Sequence, residues 1–253
     1  MTIGAILGII AAGVGAGAIN TMVGSGSLVS FPILLAFGYS PLVANITNTI
    51  GLVPGSISGA WGYRRELEGQ KNRIIGYGIV SLLGAIMGAA LLLILPESAF
   101  KAIVPIIIGL AVLLVLVQPW LNRVLEHRRE QRPVAQSKNV ILATGVAVFF
   151  ASVYGGYFSA AQGILLLAIL GLGLPESLQR VNGLKNVLQT LVNIVAAIVF
   201  VVAFPVSWDA VGLMAIGTII GGQLGAVVGR RLPAWVLRAL IVVVGIVAIF
   251  MLR

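Results

Sequence analysis

Long apolar runs alternate with short polar or glycine-rich punctuation from one end of the chain to the other. The runs fall at about 3–23, 42–63, 74–95 and 100–121, then at about 140–154, 178–204, 210–228 and 234–252. About 20 apolar residues suffice for a helix to cross the roughly 30 Å hydrocarbon layer of a membrane. Two shorter runs, 28–37 and 164–170, each follow a glycine-containing break, Gly24-Ser25-Gly26-Ser27 and Gly155-Gly156-Tyr157-Phe158-Ser159. Runs of about ten residues are too short to cross as straight helices and mark re-entrant or broken segments. The pattern predicts an all-α polytopic membrane protein with about eight long transmembrane helices plus two short half-helices.

Composition removes the soluble alternatives. Hydrophobic residues make up 59% of the 253 and charged residues only 9%, where a soluble domain carries about a quarter charged residues to keep its surface wet. The net charge of +9 comes from 16 Lys and Arg against 7 Asp and Glu. These cations sit in short clusters between apolar runs, where orientation signals belong, and no basic domain with interleaved aromatics is present to dock a nucleic acid. The chain has no cysteine, so disulfides, thiolate metal sites and cysteine nucleophiles are excluded. Met1-Thr2-Ile3 lacks a basic leader pattern, and the first run is read as a retained span.

Charge distribution also selects a threading, because short cytoplasmic loops collect Lys and Arg. If each half-span turns the chain back once, the cationic segments 64–73, 123–138 and Arg230-Arg231 share the cytoplasmic side and both termini lie outside. Each half then has five crossing or turning elements, and an odd number forces the second half to run inverted relative to the first. The expected organisation is one transmembrane domain, 1–253, made of a first repeat 1–122, a cytoplasmic linker 123–139 and a second repeat 140–253. Aligning Pro41 with Pro175 places Asn48 on Asn182. Paired inverted repeats with broken helices meeting near the midplane recur in secondary transporters.

The spans hold polar residues that a lipid-facing helix has no use for. Asn182, Lys185, Asn186, Gln189 and Asn193 are spaced along one face of a helix. Lys185 lies about two turns inside its span with no carboxylate within a turn on the same helix. A small anion would complete it; the alternative is an ion pair with Glu176 or Glu97, or snorkelling to the interface. The amides by themselves also suit interhelical packing. In the first half Asn45, Asn48 and Thr49 open the corresponding helix, near Asn20, Ser25, Gly26 and Ser27 of the break. Backbone N–H groups at such helix starts carry partial positive charge and suit oxyanions. Tyr157 and Gln162 supply matching groups at the second break. These thirteen residues form the candidate substrate site; no catalytic residue, cofactor or metal is expected. With no Asp or Glu inside the long spans, coupling to H⁺ or Na⁺ has no evident carboxylate.

With these motifs in place the chain resembles the sulfite exporter TauE/SafE family, also called the 4-toluene sulfonate uptake permease superfamily. The resemblance rests on Gly17-Ala18-Ile19-Asn20-Thr21-Met22-Val23-Gly24-Ser25-Gly26-Ser27-Leu28-Val29-Ser30-Phe31-Pro32 and Pro41-Leu42-Val43-Ala44-Asn45. The second-half motifs Tyr154-Gly155-Gly156-Tyr157-Phe158-Ser159-Ala160-Ala161-Gln162-Gly163 and Asn182-Gly183-Leu184-Lys185-Asn186 look like one branch of that family and depart from its commoner form. The resemblance implies a multi-pass carrier in the cell membrane that moves sulfite, sulfonates or related small organosulfur anions, often outward. An anion channel and a non-transporting assembly or sensor subunit are the competing classes, and an oligomer is compatible with either. An intramembrane enzyme is disfavoured because the single histidine, His127, sits in the linker.

Overall fold

The computed structural model describes residues 2–130 and 137–228; the predicted last span at 234–252, Arg230-Arg231 and linker residues 131–136 lie outside them. Nine α-helices follow one another among the described residues: α1 Ile3–Met22, α2 Ser27–Ala36, α3 Pro41–Gly62, α4 Lys71–Ile94, α5 Glu97–Glu130, α6 Lys138–Tyr157, α7 Gln162–Gly173, α8 Leu178–Ala203 and α9 Trp208–Val228. One turn of 3-10 helix, Arg64–Leu67, links α3 to α4. Six of the nine are long and apolar enough to cross a membrane. Helix α3 has the length, 22 residues, but not the apolarity, because Asn45, Thr47, Asn48 and Thr49 interrupt it. Helix α5 continues to Glu130, so the Arg- and Glu-rich start of the predicted linker extends the helix; both residue types are good helix formers in water.

Local chemistry sets the helix starts. Ser40, Ser137 and Ser177 cap α3, α6 and α8, each hydroxyl accepting from the backbone N–H three residues on. The turn residues of the two breaks are Gly24, at φ +83°, and Ala161, at φ +57°. One pair of capping serines and the pair of turn residues each stand 137 positions apart in sequence: Ser40 with Ser177, and Gly24 with Ala161. At that offset Asn45 falls on Asn182 and Asn48 on Lys185, three residues away from the proline-based alignment; Pro41 is the first residue of α3 whereas Pro175 lies outside α8.

The packing is reciprocal. Helix α1 packs on α9 and α6 on α4; α3 packs on α9 and α8 on α4; α3 and α8 pack on each other. A Cβ on Gly13, Gly17 or Gly221 would meet backbone across the α1–α9 contact, and one on Gly84, Gly88 or Gly156 would do so across α4–α6. Small residues at such contacts let helix backbones approach where no hydrophobic effect drives association. The order of these contacts makes α1 and α9 run parallel, and likewise α4 and α6. Antiparallel α3 and α8 are tied by Ser56 and Asn193. Each short helix folds back on its predecessor: Phe37, after α2, reaches Gly8, and Gly173 reaches Thr144. The two hairpins enter from opposite ends of the molecule.

Arg64, Arg73 and Arg180 gather at one end. Arg64 stacks over the exposed Trp61 at 5.2 Å, and Arg180 Nη2 donates to Glu68 O at 2.9 Å. Arg73 and Arg180 both hold Glu176. Ala226 of α9 lies against Gly62 at this end. Trp208 stands exposed at the start of α9, far along the helix from Ala226. Exposed tryptophans at both ends match the aromatic belts of a membrane protein.

Burial by itself raises the Glu176 carboxyl, but hydrogen bonds and charge from Arg73 and Arg180 outweigh it and hold the group below its ordinary range. A lowered folded value means that the contribution is present above the unfolded value, about 4.3 for Glu, and is lost as pH falls through the folded one. The thermal-stability gap between wild type and Glu176→Gln should therefore be full at pH 7 and shrink below about pH 4.3; a gap constant with pH would contradict the assignment. A second prediction concerns the hairpin contact. A Cβ on Gly163 would strike the backbone of Gly24, whereas one on Gly145 meets nothing within 4 Å. Ala is the better helix former, yet Gly163→Ala should destabilise by about 2–3 kcal/mol through overpacking. Gly145→Ala should be neutral or slightly stabilising. Equal melting temperatures for the two variants would refute the close contact.

Candidate substrate site

The hairpin tips meet inside the molecule. Gly163 N–H donates to Gly24 O at 2.9 Å, a direct backbone bond between the two breaks. Around it Ser27 Oγ and Ser159 Oγ lie 2.8 Å apart. Asn48 Nδ2 donates to Ser27 Oγ at 3.0 Å, and Ser30 Oγ donates to Asn48 Oδ1. Asn45 Nδ2 donates to Tyr157 O at 3.2 Å, satisfying a carbonyl in the last turn of α6 that has no partner within its own helix. Phe31 and Phe158 pack edge to face at 5.2 Å beside this knot.

The second cluster does the same for α1. Lys185 Nζ donates to Asn20 O at 3.2 Å and to Thr21 O at 3.3 Å. Asn186 Nδ2 also donates to Thr21 O, at 3.2 Å. Both carbonyls belong to the last turn of α1, the negative end of its dipole, where a cation is favoured. Gln189 Nε2 donates to Asn20 Oδ1 at 2.9 Å, and Ser56 Oγ accepts from Asn20 Nδ2 at 3.2 Å and from Asn193 Nδ2 at 3.1 Å. The two arrangements correspond: Asn45 reaches the end of α6 from α3, while Lys185 and Asn186 reach the end of α1 from α8.

All thirteen predicted site residues are buried. Asn20, Lys185, Asn186 and Gln189 join one network; Ser27, Asn45, Asn48 and Tyr157 join the other, with Gly26 O accepting from Ser30 Oγ at 3.3 Å. Thr49 is buried beside Asn48 on α3. The Ser25 hydroxyl, the Gln162 amide and Asn182 Oδ1 belong to neither network. Among the described residues, Ser25 Oγ, both amide atoms of Gln162, Asn182 Oδ1, Gln189 Oε1 and the Tyr157 hydroxyl are buried without a hydrogen-bond partner. Gln162 is 0% exposed and opens α7, so an entire amide is held dry at a helix N-terminus. Unmet buried polar atoms cost about 1–3 kcal/mol each.

The alternative pairing of Lys185 with Glu176 is overturned. Glu176 sits between α7 and α8, held by Arg73 and Arg180, and Lys185 finds backbone oxygens instead. Glu97's side chain lies outside the described side chains. Lys185 is 0% exposed, and among the described side chains its ammonium meets partial charges only. Ser30, Ser56 and Thr21 escaped the sequence reading. Ser56 had a legible signal: Asn45, Thr49, Leu52 and Ser56 repeat the spacing of Asn182, Asn186, Gln189 and Asn193 on the partner helix. Among the described residues no group of three or more His, Asp and Glu forms a metal site.

Comparison with known proteins fits this architecture. The family model for the sulfite exporter TauE/SafE matches residues 9–252. A probable membrane transporter protein ORF9 of a Sinorhizobium species is 26% identical over 231 residues, covering 91% of this chain and 85% of that protein. The probable membrane transporter protein YfcA of Escherichia coli K12 is 26% identical over 237 residues, 92% of this chain and 83% of YfcA. A probable membrane transporter protein of Haemophilus influenzae is 25% identical over 212 residues, 82% of this chain and 78% of that protein. No solved structure gives a significant match. The relatives are transporters and not enzymes by name, the helices are those of a multi-pass membrane protein, and the chain belongs to the sulfite exporter TauE/SafE family.

Proposed function

We propose that this chain is a secondary carrier exporting small oxyanions, with sulfite and small sulfonates as the substrate class. The observation that carries the reading is the buried Lys185 ammonium. It donates to two carbonyls and has no carboxylate partner among the described residues. An ammonium has three donors and a full charge, and helix-end dipoles balance only part of that charge. An anion brought between the hairpin tips supplies the rest, and the unpartnered Ser25 hydroxyl and Gln162 amide are donors for its oxygens. The family name speaks for sulfite as the anion.

The mechanism proposed is alternating access between inverted repeats. Its supports are the reciprocal packing, the antiparallel α3 and α8, and the two hairpins entering from opposite ends. The candidate residues are all buried, so this conformation is closed to both sides. Opening on one side requires a hairpin to part from its partner at the bond from Gly163 to Gly24. A coupling ion, H⁺ or Na⁺, has no assigned residue in this scheme. The end bearing Arg64, Arg73 and Arg180 is assigned to the cytoplasm by the positive-inside rule.

Two outcomes are expected. Sulfite or a small sulfonate should raise the melting temperature of the detergent-purified protein, by linkage, more than chloride at equal ionic strength. Lys185→Ala should fold and raise the half-saturating anion concentration at least about tenfold, the loss of a charge-assisted hydrogen bond. An unchanged half-saturation would remove Lys185 from the site. Single cysteines placed at Arg64 and Arg230 in this cysteine-free chain should both be labelled from the cytoplasmic side. Labelling from opposite sides would defeat the inverted threading.

A further inference from the structure

An open groove of about 570 Å³ lies between α4 and α6, away from the hairpin tips. Its walls are almost wholly apolar, and include Tyr77, Leu83 and Phe149; Arg73 stands at one end. Along α4 it extends from Asn72 to Leu83, about 16 Å of helix, or half the roughly 30 Å hydrocarbon thickness. Its depth is that of one leaflet. Two glycines form its floor, Gly76 and Gly145, and a Cβ on either would meet nothing within 4 Å. These glycines differ from those on the neighbouring contact line, where a Cβ would strike the facing helix. They leave a channel and bring no backbones together.

The mouth of the groove is electropositive. Helices α4 and α6 run parallel, so both N-termini lie at this end, and neither carries an acidic residue in its first turn. Gln70, before α4, gives its first N–H groups no side-chain cap, leaving donors that carry partial positive charge. Lys71 and Lys138, the first residues of the two helices, are both exposed. Arg73 and Arg180 share the carboxylate of Glu176.

We propose that this groove binds an anionic phospholipid of the leaflet at the cationic end, one acyl chain lying over Gly76 and Gly145 and the phosphate held by Lys71, Lys138 and Arg73. The length of the apolar channel, the charge at its mouth and the uncapped helix start each match one part of such a lipid. The groove lies on α4 and α6, whose contact must change if the second hairpin moves, so an occupying lipid bears on the packing of that hairpin. The inference does not depend on the identity of the transported anion.

The experiment compares phosphatidylglycerol with phosphatidylcholine of identical chains, each titrated into the detergent-purified protein and read by thermal shift. Phosphatidylglycerol should stabilise wild type at lower concentration than phosphatidylcholine. Gly76→Leu with Gly145→Leu fills the channel and should abolish saturable stabilisation by either lipid. Lys71→Gln with Lys138→Gln leaves the channel open and should raise the half-saturating phosphatidylglycerol concentration about tenfold, removing the preference over phosphatidylcholine. Equal response of wild type to the two lipids overturns the proposal. So does an unchanged phosphatidylglycerol response in the lysine double variant, whatever the folding of the leucine variant. Light scattering supplies the remaining arm: if wild type in lipid is an oligomer and the leucine variant a monomer, the groove seats a second copy of the chain and the lipid assignment fails.

Discussion

A helix broken inside a membrane leaves backbone groups without partners in a medium that supplies none, and this constraint governs the centre of the molecule. Here the two breaks satisfy one another. The backbone of Gly163 donates to Gly24, and the helix ends on either side are closed by side chains from the opposite half: Asn45 on the end of α6, Lys185 and Asn186 on the end of α1. Such contact demands glycine at both positions, because a Cβ on either would enter the other's backbone. Neither hairpin can be completed without the other, so the polar centre and the association of the halves are one problem with one solution.

That solution leaves a residue of unspent polarity. Amides on α3 and α8 tie the ends of α1 and α6, yet Gln162, Ser25 and part of Gln189 stay unpaired in the same region. A chain under pressure only to pack would fill these positions with apolar groups, since a half-satisfied polar cluster is less favourable than an apolar core. Lys185 sharpens the point. Where the first half uses the neutral Asn48, bonded to Ser27 and Ser30, the second half places an ammonium. At the point where α3 and α8 cross, one helix therefore brings a neutral amide and the other a charge.

Much of this was legible from residue pattern. The seven long runs within the described residues became α1, α3, α4, α5, α6, α8 and α9, and the two short ones became α2 and α7, because apolar length is a strong signal and the glycine breaks are abrupt. The stripe from Asn182 to Asn193 lies buried along α8, as its helical spacing required. What sequence left hidden depends on three-dimensional register. Prolines suggested an alignment that the serine caps shift by three residues, since a cap defines where a helix begins and a proline only where one is allowed. Lys185 finds carbonyls at the end of α1, 164 positions away in the chain, a partner that no periodicity reveals. Ser56 was missed because a serine in a helix is unremarkable until its match to Asn193 is known. The groove over Gly76 and Gly145 was equally invisible: a glycine that leaves space and a glycine that brings helices together read alike in one dimension.

The central claim, that the crossing of the two hairpins is the gate of an anion carrier, is tested most directly by counterflow in proteoliposomes. Vesicles of purified protein are preloaded with unlabelled sulfite or sulfonate, diluted into trace ³⁵S-labelled anion, and followed with time. A carrier with an occluded site accumulates label transiently above its equilibrium level and saturates with external anion, and the Lys185→Ala protein should fail to do so. Label that equilibrates without overshoot, at a rate linear in concentration, would identify an open pore and contradict the account.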